Sequence, residues 1–484
     1  MILTAYYEPQ FSDASHGFRP GRGCHTALTA IRQTWRGTKW LIEGDIKGCF
    51  DNINHEKLLC IISRKIKDNR LMKLLRGMLD AGYLENQTTH PTYSGVPQGG
   101  VLSPLLTNIF LNELDQYIEE TLQPKHTRGT MRRWNKEYAR VQGAKKAAFK
   151  RGDIDTWRDL DRQQRKMSSK QTDDPSYRRL RYVRYADDFL IGYVGTCREA
   201  EEVKRDVAQF LQEMGLTLSL EKTTITHATQ DVAKFLGYNV GMSYCDTRYS
   251  KARHQRSING QPELRVPTEV AREWRMRHTR LGKAIHRTNL LERSDFDIVM
   301  TYGLEFQGLV NYYALAHNVA QRLYPVKYAF LQSLVKTLAY KHKQPITWAF
   351  RRFAQKSKEG ITCITVEVPR EGRKPLVAKF GDKPIRFDAK AELIEKQTML
   401  YPARNELIKR LTANQCELCG SKDHVEVHPI RKLKTLQNCY RGRTQPPKWV
   451  KRMIELRRKT LMVCQKCHCD IHAGNYDGPT LKND

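Results

Sequence analysis

The chain has 484 residues, with 83 Lys and Arg against 52 Asp and Glu, so its formal net charge is +31. With 40% hydrophobic and 28% charged residues the composition excludes global disorder, and no apolar run approaches the roughly 20 residues of a membrane span. Nucleic acid is the partner class this charge fits first, because each Lys or Arg can neutralise a phosphate and release counterions.

The length predicts two to four domains. The start, MILTAYYEPQF, has no basic stretch ahead of an apolar core, so no secretory signal and no disulfide framework are expected. KWLIEGDI (39–46) reads as a short strand ending at Asp45, and HEKLLCIISRKI (55–66) as a helix. GVPQGGVLSP (95–104) is a Gly/Pro loop before an apolar-faced helix, LLTNIFLNELDQYI. Residues 125–181 hold 18 Lys and Arg against 7 Asp and Glu. They read as an inserted, exposed, partly helical segment, expected to touch RNA. RLRYVRYADDFLIGYVG (179–195) predicts a hairpin with a polar tip. Residues 199–214 predict an amphipathic helix with Val203, Val207, Phe210, Leu211 and Met214 on one face. LTLSLEKTTITHA alternates like a strand, and FLGYNV (235–240) reads as another, so residues 1–240 are α+β in style. Residues 268–356 turn helical and basic, 357–410 look linker-containing, and 411–484 form a Cys/His unit.

Two constellations carry chemistry. Asp45 at a strand end and Asp187–Asp188 at a hairpin tip are carboxylates that can converge on two divalent ions about 4 Å apart, which suits Mg²⁺ and nucleotidyl transfer. Adjacent side chains on an ideal strand point oppositely, so both acids can serve only through turn geometry or in unequal roles. In the tail, Cys416-x-x-Cys419 and Cys464-x-x-Cys467 are paired knuckles whose four thiolates suit one structural Zn²⁺. His468 and His472 stand four apart, and with His428 they could bind a second divalent ion.

The order GFRPGRGCHTAL (17–28), LIEGDIKGCFDNI (41–53), GVPQGGVLSPLLTNIFLNELD (95–115), RYVRYADDFLIG (181–192), GLTLSLEKTTITH (215–227), FLGYNV resembles the group II intron reverse transcriptase/maturase family, nearly end to end. The resemblance implies an RNA-directed DNA polymerase that binds intron RNA to aid splicing and copies it from a DNA primer with dNTPs at a target DNA, with no membrane involved. It implies a right-hand polymerase of α+β class, with a fingers remnant and palm over 1–245 and a basic insertion at about 125–180. A helical thumb/maturase domain over 268–356, a linker and DNA-binding region over 357–410, and a small zinc-bound ββα-metal (HNH) domain over 411–484 follow. Asp45, Asp187 and Asp188 would hold two Mg²⁺. Phe50 would be the ring that excludes a ribose 2′-hydroxyl, while Gln98 and Lys222 would serve the nucleotide. Tyr312, Tyr313, Lys336, Lys341, His342 and Lys343 are candidate RNA contacts.

CELCGS, VEVHPIRKL and RRKTLMVCQKCHCDIHAG resemble the HNH endonuclease module of such proteins. In those nucleases a metal ligand is followed by a His that acts as general base. Here the pair is His428-Pro429, and proline cannot transfer a proton, so DNA cleavage is expected to be impaired; His424 is the nearest alternative base. The family also carries further fingers residues before GFRPGRG, so the resemblance implies an N-terminally truncated product. A splicing-only maturase is the rival reading, and a bacterial cytoplasm is favoured over an organelle.

Overall fold

The computed structural model describes residues 2–85, 88–90, 94–96, 100–219, 223–245, 247, 258–357, 359–370, 373–393, 415–429, 450 and 460–473. The chain divides into two units, Met1–Glu395 and Lys396–Asp484. Among the described residues no helix is long and apolar enough to cross a membrane.

The first unit is built on a four-stranded antiparallel sheet. Helix α1 (Cys24–Thr34) precedes strand β1 (Trp40–Asp45). Helices α2 (His55–Ser63), α3 (Asn69–Asp80) and α4 (Ser103–Gln116) follow. The basic segment is a helical hairpin, α5 (Lys136–Lys150) and α6 (Ile154–Lys166), tied by the Lys145–Asp161 ion pair. Strands β2 (Arg179–Tyr185) and β3 (Asp188–Val194) form the expected hairpin. Helix α7 (Cys197–Met214) starts with a reciprocal Thr196–Glu199 cap and ends at Gly215, φ +84°. Strand β4 (Ile225–His227) completes the sheet in the order β2-β3-β1-β4. Among the described residues, the long alternating run after residue 215 therefore pairs as a strand over its last residues, apart from a bridge between Leu218 and Ile46.

Strand alternation sends neighbouring residues to two cores. Ile42, Leu180, Tyr182, Phe189 and Ile191 pack with Phe110 and Leu114 of α4 and with Val203, Val207 and Leu211 of α7. Leu41, Val183 and Leu190 pack on the other face with Leu28, Ile31 and Trp35. Both faces are covered, which explains why β3 is buried along nearly its whole length.

The second core continues into β5 (Ala233–Phe235), β6 (Tyr238–Ser243) and β7 (Gln261–Arg265). FLGYNV, expected as one strand, is a tight hairpin turning at Leu236 and Gly237, whose φ angles of +48° and +68° match a type I′ turn. Helices α8 (Thr268–Met276), α9 (Asp295–Tyr312), α10 (Val319–Lys341) and α11 (Ile346–Phe353) form the helical part. The stretch expected to be linker-containing is packed into the first unit even beyond residue 380, with Ile385 in the core and Asp388 N–H donating to Ala314 O. Strands β8 (Ala354–Lys356), β9 (Thr362–Arg370) and β10 (Arg373–Phe380) form a sheet, and Phe380 is buried against Phe306 of α9. That hairpin covers an apolar helix face, so its alternation reflects packing rather than a spacer. In the second unit, β11 (Val425–Pro429) pairs with β12 (Thr460–Cys464), and α12 (Gln465–Ala473) follows.

Candidate active site and metal centres

Asp45 and Asp188 stand directly opposite each other in the β1–β3 register. In an antiparallel pair that places their Cα atoms about 4.5–5.5 Å apart. Asp187 lies in the two-residue turn between β2 and β3, behind Ala186 at φ +55°. The alternation problem is thereby resolved: one aspartate belongs to the strand and its neighbour to the turn. Gly44 beside Asp45 faces Phe189, whose ring would lie 2.1 Å from any Cβ there, so only glycine lets the ring cross the strand. The charge of Asp187 also reaches Cys49: burial, then that charge, push the Cys49 thiol up to about 12.

A buried ion pair holds the turn from beneath. Arg184 and Asp115 are both 0% exposed. Arg184 Nε donates to Asp115 Oδ1 at 2.7 Å and Nη2 to Oδ2 at 2.6 Å. Its remaining protons go to Ser15 Oγ at 2.9 Å, Asn108 Oδ1 at 3.2 Å and Ala186 O at 2.8 Å. The Tyr182 hydroxyl donates to Asp115 at 2.8 Å. Burial opposes the guanidinium charge, but Asp115 outweighs it and holds Arg184 above its ordinary range. No sequence signal singled out this pair, because its members stand 69 residues apart.

The segment GFRPGRG lies against the same turn. The Asn108 amide donates to Gly17 O at 2.9 Å, and a Cβ on Gly17 would fall 2.4 Å from Ala186 N. Phe50 sits in a one-turn helix after Gly48, which takes φ +54°. Val96 N–H donates to Phe50 O at 2.7 Å, and Gly95 meets the Phe50–Asp51 backbone so closely that a Cβ would be 2.6 Å from Phe50 O. Gln98 and Lys222 lie outside the described residues.

Of the candidate RNA contacts of the helical part, Tyr313 is taken up by the core and the others are engaged to different degrees. Tyr313 is buried, and its hydroxyl donates to Gly237 O at 3.1 Å, while Tyr312 donates to Leu236 O at 2.9 Å. The two tyrosines satisfy the carbonyls of the β5–β6 turn. Lys336 Nζ donates to Ala284 O at 2.7 Å, and Lys341 and His342 both engage Asp295. Of the six, Lys343 alone is exposed.

In the second unit, ligand atoms of Cys416, Cys419, Cys464 and Cys467 all lie within 4.8 Å of one another, and the Cys419 and Cys464 sulfurs are 3.5 Å apart. Tetrahedral zinc with Zn–S near 2.3 Å needs sulfurs about 3.8 Å apart, so this donor set fits Zn²⁺. Burial opposes ionisation of Cys416, yet backbone N–H groups of Cys419, Cys464 and Leu418 bring its thiol down to about 7. Ligand atoms of His428, His468 and His472 form a second cluster within the same limit. The His468 and His472 Nε2 atoms are 3.1 Å apart, and His468 Nδ1 is 3.0 Å from Glu426 Oε2. His428 Nδ1 is buried with no hydrogen-bond partner, and burial followed by the two facing histidines lowers the His428 pKa. Neutral imidazoles with one nitrogen oriented by a carboxylate fit a divalent cation. His424 lies exposed at φ +43° just before β11, and Pro429 pairs with Thr460 in the ribbon.

Three family models match the chain: reverse transcriptase (RNA-dependent DNA polymerase) over residues 1–240, type II intron maturase over 268–399, and AI2M/AI1M-like HNH endonuclease over 416–468. The group II intron-encoded protein LtrA of Lactococcus lactis subsp. cremoris is 36% identical over 97% of this chain and 80% of its own. The putative COX1/OXI3 intron 2 protein of Saccharomyces cerevisiae is 29% identical over 99% of this chain and 56% of its own. A telomerase structure from Candida albicans covers 72% of this chain and 46% of its own at 11% identity, with a TM-score of 0.37, too slight to bear on the fold.

Proposed function

Since the chain belongs to the group II intron-encoded reverse transcriptase/maturase family, we propose that Asp45, Asp187 and Asp188 are its catalytic carboxylates for copying RNA into DNA. The observation that carries this is the opposed pair Asp45–Asp188 with Asp187 in the adjoining turn. The three would hold two Mg²⁺, which when bound activate a primer 3′-hydroxyl and stabilise departing pyrophosphate. The protein's own part is positioning. Arg184 fixes the turn through Ala186 O, and the Gly95–Val96 backbone fixes Phe50, which selects dNTPs by crowding a ribose 2′-hydroxyl. Gln98 and Lys222 would assist nucleotide binding.

The partners are intron RNA, a DNA primer and target DNA. The four cysteines hold structural Zn²⁺, and His428, His468 and His472 hold a divalent ion in a module that binds target DNA but cleaves it poorly, for want of a base at Pro429. With relatives in bacteria and mitochondria, the bacterial cytoplasm is the favoured site of action.

Primer extension tests the polymerase assignment. The full chain receives an RNA template, a DNA primer, dNTPs and Mg²⁺, beside an Asp187→Asn variant. Extension that the variant loses by about 10³-fold or more supports the assignment. Equal extension by both proteins would overturn the assignment of Asp187. No extension by the parent chain, with intron RNA still bound, would leave a splicing-only maturase.

A further inference from the structure

We propose that Phe18 is a specificity-determining residue of the polymerase site: it props the Phe50 ring and so sets the clearance for the sugar of the incoming nucleotide. This deepens the reading of Phe50 given above and rests on it.

Phe18 is anomalous for a large apolar residue. Its φ is +57°, a left-handed conformation that is strained for a bulky side chain, and it is 41% exposed. A fold gains little from strain and apolar exposure together, so a residue kept in this state is held by its surroundings. Here both flanks are fastened. On one side His16 N–H donates to Arg184 O at 2.9 Å, and Gly17 is clamped between the Asn108 amide and Ala186. On the other side Arg19 is buried, with its guanidinium on Ser12 O at 2.6 Å, Ser15 O at 2.8 Å and Glu8 Oε1 at 2.9 Å. The chain between these anchors must project Phe18 where it does.

The ring meets two walls of the site. It stands edge-on to Phe50, with centroids 6.3 Å apart and planes at 80°, and 6.5 Å from Tyr185, the residue that opens YADD. An edge-to-face contact fixes the orientation of the partner ring. Phe50 is only partly buried, and its helix is a single turn. Its backbone is secured by Val96, and Phe18 is the aromatic neighbour that secures its ring.

The test is discrimination between deoxyribonucleotides and ribonucleotides, measured as the ratio of kcat/KM for dNTP over rNTP on one RNA template. The full chain is compared with Phe18→Gly, Phe18→Tyr and Phe50→Ala. Glycine removes the ring and adopts φ +57° without strain, which offsets part of the packing lost from Phe50 and Tyr185. An aromatic pair is worth enough to predict that Phe18→Gly lowers the ratio about two- to tenfold, through a gain in ribonucleotide use. Phe18→Tyr keeps the ring and is expected to keep the ratio, while Phe50→Ala is expected to lower it furthest. If Phe50→Ala lowers the ratio and Phe18→Gly leaves it as it was, the inference fails and the Phe50 reading stands. If Phe50→Ala does not change the ratio, both fail. If Phe18→Gly depresses dNTP and rNTP use equally, Phe18 acts on the fold or the primer, and the inference is likewise overturned.

Discussion

Removing the Asp115 carboxylate while Arg184 stays would strand a guanidinium with no solvent contact. The structure gives the scale. Two charge-assisted bonds at 2.6 and 2.7 Å disappear, and the Tyr182 hydroxyl loses its acceptor. Breaking one side of a buried pair costs about 3–5 kcal/mol. With an unfolding entropy of about 2.1 cal/mol/K per residue over Met1–Glu395, Asp115→Ala should lower that unit's Tm by about 4–6 °C. A second variant separates stability from function. Asp115→Leu, Tyr182→Phe and Arg184→Met together replace the ion pair with apolar groups, which is often near neutral, but leave Ser15, Asn108 and Ala186 O short of a donor, so the Tm should recover part, not all, of the loss. Primer extension should not return. The donor to Ala186 O is gone, the turn carrying Asp187 is free to shift, and a displacement of about 1 Å at a reacting group can cost about 10²-fold in rate. Melting curves and single-turnover extension measure both quantities. A triple variant as active as the parent would refute the claim that Arg184 positions the turn. One as unstable as Asp115→Ala would refute the claim that the cost lies in the stranded charge.

Other consequences are open to direct measurement. Burial, then the charges of Arg22 and Arg19, lower the His16 pKa to about 4, so its unfolded form binds the proton first as pH falls below 6.5. His16 therefore contributes stability above pH 6.5 that is lost on the way down to about pH 4. By pH 5 the parent should have lost about 2 kcal/mol relative to His16→Gln, and parallel urea curves at the two pH values would contradict this. Removing zinc with a chelator should make Lys396–Asp484 sensitive to protease while Met1–Glu395 stays resistant, because among the described residues the apolar cluster of Leu418, Val450, Leu461 and Val463 closes on the four cysteines themselves. An unchanged digestion pattern would argue against a structural metal. Pro429→His should raise metal-dependent nicking of target DNA, and no gain in a variant that still binds metal at the histidine cluster would dismiss proline as the defect.

What could be read from the sequence follows the range of the interactions. The helix Cys197–Met214 declares itself through local spacing, and Val203, Val207, Leu211 and Met214 are indeed buried. The two CxxC knuckles and the His468–His472 spacing also carry their geometry within a few residues. Long-range register does not work this way. Nothing local to KWLIEGDI or YADDFL dictates that Asp45 opposes Asp188 rather than a neighbour; the cores on both faces of the sheet decide it, since a slip of one residue would exchange Leu41 with Ile42 between them. Arg184 is the sharper case. In RLRYVRYADD it reads like the other basic residues of a cationic chain, yet Asp115 makes it among the most deeply buried groups in the molecule. Tyr312 and Tyr313, candidate RNA contacts only through the family resemblance, show the opposite case. Their aromatic, hydroxyl-bearing pattern suits stacking on RNA, but the carbonyls of a turn 76 residues earlier claim both hydroxyls. In each instance the residue type was visible and its partner was not, and in a chain of net charge +31 the partner decides which cations remain for nucleic acid and which are consumed in holding the catalytic turn.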